Sequence, residues 1–146
     1  TCDAHHVTAP HPEGKQAARA IKLALEEAKY NENDLLHINA HGTGTGNNDA
    51  SESAAFLRIF GDKMPPFSST KAFTGHTLAS AGGIEAVLSV LAIKQACRYP
   101  NLNFTTAIPE YGLQPIVKFE ENISVDSVLT NSFGFGGNCS SLLFIT

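Results

Sequence analysis

The sequence predicts a layered α/β fold, and three observations predict it. Strand-like and helix-like segments alternate along the chain in the order α-β-α-β-α-β-β. One helix-length segment is apolar nearly all round, the pattern of a helix buried on every side. Two late strand-like runs meet at a glycine-rich turn, so the alternation ends on a hairpin. Alternation implies right-handed parallel crossovers, and the hairpin makes the sheet mixed. The first helix has no strand before it, so the sheet is expected to hold five strands with one of them upstream.

Each element has its own signal. Residues 13–30, EGKQAARAIKLALEEAKY, place Ala17, Ala20, Ile21, Ala24, Leu25 and Ala28 at helical spacing with charges opposite. Residues 34–40, DLLHINA, are a short apolar run bounded by polar and glycine signals, as in a buried strand. A second helix is expected over 47–61, with Asp49 and Glu52 as a capping box and Gly61 as its stop. PFSST, 66–70, is a short strand. Over 77–98 the residues Ile84, Val87, Leu88, Leu91 and Ala92 form one apolar stripe, and Ala86, Val90, Ile93 and Cys97 another. Glu85 is then a carboxylate inside a core helix and needs a partner. Residues 122–132 and 138–145 are the closing strands, joined by FGFGGN.

Composition narrows the function. The chain has 146 residues, 42% hydrophobic and 16% charged, enough for one globular domain with a core. A net charge of -4 gives no basic field for nucleic acid. No apolar run is long enough to span a membrane, and no signal peptide is visible. Cys2, Cys97 and Cys139 are odd in number and form no CxxC pair, which fits a reducing, cytoplasmic setting. The chain opens on Thr1 rather than Met, so an excised piece of a longer protein is expected.

Several local patterns carry chemistry. HGTGTGNND follows a strand and opens a helix, where a phosphate could sit on helix N–H groups. Its glycines are spaced GxGxG rather than GxGxxG, and no acidic residue ends the next strand to hold a ribose, which leaves a nucleotide module as a minor reading. SSTK, with Ser68 and Lys71, matches a serine acyl-enzyme motif in form only, since the serine lies in a strand and the partner motifs are absent. His5, His6 and His11 cluster near the start, but no carboxylate or cysteine stands at ligand spacing. His41 and His76 differ from these. Each stands at or just past the carboxyl end of a strand, where parallel α/β folds place their active crevice. Two imidazoles brought together beside Lys71 could donate N–H groups to a developing oxyanion, and a nearby cation would keep a ring neutral.

Three stretches then converge on one family. INAHGTGTGNNDASES, SSTKAFTGHTLASAGGIEA and TNSFGFGGN resemble, in order and spacing, the C-terminal half of the β-ketoacyl-acyl-carrier-protein synthases, condensing enzymes of fatty-acid and polyketide synthesis. CDAHHVTAPHPEG is similar to the segment that opens this half, so the resemblance covers residues 1–146 as one domain. It implies a thiolase-like α-β-α half whose nucleophilic cysteine lies in an N-terminal domain absent here. It implies decarboxylative condensation of malonyl carrier protein with an acyl-enzyme thioester, with His41 and His76 stabilising the enolate. Lys71 matches the catalytic-site lysine and Glu85 its partner. Thr43 and Thr45 match the threonines that hydrogen-bond phosphopantetheine, and Phe135 the gating residue whose backbone N–H helps form an oxyanion hole. Asn39, Glu85, Thr130 and Asn131 match positions around a structural cation in some members. No cofactor beyond the carrier's phosphopantetheine arm is implied.

The implied partners are acyl carrier protein, bearing acyl and malonyl groups, and a second subunit in a homodimer or heterodimer. A non-catalytic partner subunit, which shapes the product chain without a nucleophile, is the alternative. Retention of His41, His76, Lys71 and Phe135 favours the active kind. Cys2, Cys97 and Cys139 match no nucleophile motif, so the fragment alone is expected to be inactive and to expose apolar surface. Gly46 stands where the family has proline, and Asn138-Cys139 where it has Thr-Asn. Both departures bear on substrate preference rather than reaction type.

Overall fold

The computed structural model describes residues 1–146. Its element order is α1 (Lys15–Glu27), β1 (Ile38–Asn39), α2 (Gly46–Phe60), β2 (Phe67–Ser68), α3 (Lys71–Thr74), α4 (Ala81–Lys94), β3 (Cys97–Arg98), β4 (Glu120–Glu121), β5 (Ser127–Phe133) and β6 (Cys139–Ile145). The fold is mixed α/β, as expected. The main sheet has four strands within the chain, in the order β2-β1-β5-β6. β1 is parallel to β2 and to β5, and β5 and β6 form the closing antiparallel hairpin. β3 and β4 form a separate two-stranded ribbon that the sequence did not announce. It is tied down by Arg98, which pairs with Glu120 at 2.9 Å and donates from Nε to the Leu36 carbonyl at 3.1 Å.

Alternation along β5 sorts the two faces of the sheet. Leu129 and Ile38 are register partners and join Ile21, Leu25, Phe56 and Phe60 in the main core, so α1 and α2 cover this face. Close approach of the two helices rests on Ala17, Ala18 and Ala55. Val128 turns the other way and packs with Ala92 of α4 and Val125. Helices therefore lie on both faces.

Two expectations are corrected by the packing. Residues 34–40 give only a two-residue strand, because the chain makes a helical turn at Glu32–Asp34 first. The segment 77–98 is not one helix buried all round. α3 and a helical turn at Leu78–Ser80 precede α4, and the last residues pass into β3. The inner stripe of α4 is Ala81, Glu85, Ser89 and Ala92, while Val87 and Val90 are 60% and 45% exposed. Small and polar residues allow close approach to the sheet, Ile84, Leu88, Leu91 and Ile93 lie partly buried at the sides, and Val87 and Val90 are left outside.

Phe73, Leu78 and, on the edge strand, Leu142 are also exposed. Exposed apolar side chains in this number favour association. Produced on its own, the chain should elute above its 15.5 kDa mass in size-exclusion chromatography. Replacing Val87 and Val90 with lysine should shift it toward the monomer.

Candidate active site

β1 ends at Asn39, and two residues later His41 projects from the chain beside α3. The ring centroids of His41 and His76 are 5.5 Å apart and their planes are perpendicular. The structure thus brings together two side chains separated by 35 positions in sequence, as the sequence reading expected. His41 is buried and His76 is exposed at the mouth. Phe133 of β5, which sequence reasoning did not single out, packs its ring 5.5 Å from that of His41. No pattern in the sequence distinguished it from its neighbours in the strand.

Lys71, at the start of α3, supplies the charge. Its Nζ lies 3.2 Å from His41 Nδ1 and also donates to Glu85 Oε1. Both ends of the ion pair are buried, with side chains 5% and 1% exposed. The core carboxylate has found its partner. Burial pushes the Glu85 carboxyl up from its ordinary range, and the Lys71 ammonium pulls against that.

The same geometry fixes two tautomers. A lysine ammonium has three donors and no acceptor, so His41 Nδ1 must accept and the ring proton sits on Nε2. The Leu78 N–H donates to His76 Nδ1 at 3.2 Å, which leaves the proton of a neutral His76 on Nε2 as well. Burial, then Lys71, then His76 lower His41 to a pKa of about 3, so it is neutral at pH 7.

Glu52 forms no capping box with Asp49. Thr45 caps α2 without a side-chain hydrogen bond, and Glu52 turns into the protein, 4% exposed. It accepts the His41 N–H on Oε1 and the Gly42 N–H on Oε2, both at 2.9 Å. Asn131 donates to it at 3.2 Å and is itself held by the Ser141 hydroxyl at 2.7 Å. A buried acid two turns into a helix, with no basic residue at helical spacing, was the available signal. Burial raises its pKa against these three donors.

The four residues expected around a cation do not converge. Asn39 donates to the Glu85 carbonyl at 3.4 Å and accepts from Thr70, on the α4 face, and Thr130 is its register partner on that face. Asn131 faces α2 on the other side. Glu85 Oε2 and Thr130 Oγ1 are buried without a hydrogen-bond partner, so Asn39, Thr130 and Glu85 fit a hard, oxygen-seeking cation while Asn131 does not. No group of three or more His, Cys, Asp or Glu side chains is arranged for a metal, and His5, His6 and His11 form none.

Thr43, whose hydroxyl contacts that of Thr45 at 2.8 Å, lines a cleft of about 560 Å³ whose walls include Lys71 and His76. Phe135 is 78% exposed in the turn between β5 and β6. That turn is clamped by the opening residues of the chain. Asp3 N–H donates to the Gly137 carbonyl at 2.6 Å and Gly136 N–H to the Val7 carbonyl at 2.7 Å. Gly137 has φ +84°, and a Cβ there would lie 1.9 Å from the Asp3 oxygen, so no other residue fits.

Acid should expose how these rings are held. His37, just before β1, is buried, donates from Nδ1 to the Pro66 carbonyl, and is lowered to about 4 by burial and Arg98. A histidine whose folded pKa lies below 6.5 gives its full stability above pH 6.5 and loses it as pH falls toward the folded value. Between pH 7 and pH 5 His37 and His41 should each cost about 2 kcal/mol. Urea titrations of the native protein that carries this chain should show the slope flattened by one histidine's share in His37→Asn.

The model of the family "Beta-ketoacyl synthase, C-terminal domain" matches residues 1–105. The chain is 42% identical to 3-oxoacyl-[acyl-carrier-protein] synthase 2 of Synechocystis, over 99% of its own length and 35% of that protein's. It superposes on the ishigamide ketosynthase/chain length factor with a TM-score of 0.94 at 35% identity, covering 100% of this chain and 36% of that one. It superposes equally, at 32% identity and the same coverage, on AntDE in a complex described as a type II polyketide synthase acyl-carrier protein with its ketosynthase bound to the hexaketide. It therefore spans about a third of the length of the proteins it matches. No helix is long and apolar enough to cross a membrane. By the family match and by these relatives, the chain belongs to the β-ketoacyl synthases and corresponds to their C-terminal domain.

Proposed function

We propose that this chain is the enolate-stabilising half of a β-ketoacyl-acyl-carrier-protein synthase, an acyltransferase that condenses malonyl carrier protein with an acyl-enzyme thioester. The observation that supports this most is the pair of imidazoles with their Nε2–H groups free and their Nδ1 atoms occupied. In the first step the bond from the malonyl α-carbon to its carboxylate breaks and carbon dioxide leaves. The electron pair moves into the thioester as an enolate, whose oxygen both N–H groups meet. The enolate carbon then attacks the acyl thioester and expels a cysteine thiolate supplied from outside this chain. Preorganised donors in a site shielded from water are worth about 3–4 kcal/mol each at such an oxygen.

Lys71 holds His41 neutral and in the donating tautomer. Thr43 and Thr45 receive the phosphopantetheine arm of the carrier at the edge of the cleft. Phe135 gates the acyl side through the turn clamped by residues 1–7. Asn39, Thr130 and Glu85 would hold a structural cation, which would offset the negative charge of Glu85. A similar ketosynthase has been solved with its carrier protein, and another is paired with a chain length factor, which supports carrier docking and a dimeric whole. A non-catalytic partner would have no use for two enolate donors. Thr1 and Cys139 exchange two backbone hydrogen bonds, at 2.7 and 3.1 Å, so residues preceding Thr1 would run antiparallel along β6 as a fifth strand.

In the native protein, His41→Ala and His76→Ala should each lower malonyl decarboxylation by about 10²–10³-fold while acyl transfer to the cysteine stays measurable. Carbon dioxide release and acyl-enzyme formation, followed separately, check this. Normal decarboxylation by either variant would overturn the assignment.

A further inference from the structure

Ser69 lies between the two turns that carry the site and touches neither imidazole. It is buried, and its Oγ donates to the Gly42 carbonyl at 3.1 Å and accepts the Lys71 N–H at 3.3 Å. One hydroxyl therefore joins the backbone that places His41 to the backbone that places Lys71. The approach is close. A Cβ on Gly42, where φ is +44°, would lie 2.4 Å from the Ser69 Cβ and 2.7 Å from its Oγ. Only a glycine lets the His41 turn sit down on this hydroxyl.

Ser69 is itself anchored. Its N–H donates to Asn101 Oδ1 at 3.0 Å. The Asn101 N–H reaches the Ile116 carbonyl at 2.7 Å, and the Ile116 N–H reaches the Phe67 carbonyl at 2.8 Å. The loop between residues 101 and 116 is thus pinned to the edge of β2. α3 needs such a brace because it is only four residues long, and a single helical turn has little stability of its own. We infer that Ser69 is a positioning residue that sets the distance between Lys71 Nζ and His41 Nδ1, an inference that rests on the reading of the two rings given above.

In the native protein, Ser69→Ala should lower the kcat of malonyl decarboxylation about tenfold to a hundredfold. KM and acyl transfer to the cysteine should stay at wild-type values. Ser69→Cys, which keeps a weak donor, should fall between. In a Lys71→Met background, Ser69→Ala should cost less than about twofold further, because the contact it sets is already gone. Full additivity, a wild-type kcat in Ser69→Ala, or a loss confined to KM and the thermal midpoint would each overturn the inference. Should Ser69→Ala not fold, Asn101→Ala reaches the same hydroxyl through its backbone, and additivity with Lys71→Met would overturn it equally. Normal decarboxylation by His41→Ala would remove the reading beneath it, a result separate from any of these.

Discussion

The site depends on one ammonium buried against one carboxylate. Neither charge is stable there alone, since removing one partner of a buried pair typically costs 3–5 kcal/mol. Together, Lys71 and Glu85 offset each other's charge through Oε1 alone, with Oε2 left unpartnered, and the ammonium keeps a further N–H for His41. That bond does two things at once. It denies His41 a proton on Nδ1, and it adds to the burial that keeps the ring neutral. A protonated ring would be a stronger donor, but it would need desolvation of a second cation beside Lys71. The arrangement settles for a neutral donor whose direction is fixed.

The interior of this domain is polar to a degree that its fold explains. The strands before the site are two residues long, so side chains rather than ladders must hold the turns that follow them. Each face of the sheet does this with its own network. On the α4 face, Asn39 links Thr70 to the Glu85 carbonyl. On the α2 face, Ser141 holds Asn131, Asn131 holds Glu52, and Glu52 holds the His41 and Gly42 N–H groups. His41 stands where the two networks meet. Its backbone belongs to one and its ring to the other.

Much of this was legible in the residues. The periodicity over 13–30 and the glycine turn before Cys139 located α1 and the hairpin, and the strand-end position located His41, whereas His76 follows α3 rather than the end of β2. The lone acid in an apolar helix announced a buried partner. What could not be read was tertiary. Glu52 stands where a capping residue would, three positions after Asp49, and local spacing carries no trace of the distant Asn131. The β3–β4 ribbon has two residues per strand, too few for any period to show. The family resemblance groups Asn131 with Thr130 around a cation, although adjacent residues in a strand turn their side chains opposite ways.

α4 failed the sequence reading for a more informative reason. Its apolar residues surround the axis, and the expectation was burial on all sides. Instead its inner stripe is Ala81, Glu85, Ser89 and Ala92, and the valines point outward. A helix that turns its small and polar residues toward its own sheet and its aliphatic ones away is suited to lie between two layers. The inner side gives up apolar burial to let Glu85 reach Lys71 and Ser89 bond back to the Glu85 carbonyl at 2.7 Å. The outer side has nothing polar to satisfy and gains only by contact with a second apolar surface. The position of the buried ion pair and the exposed apolar outer face are therefore two consequences of one helix, and a substitution that made the outer valines polar would remove the second without disturbing the first.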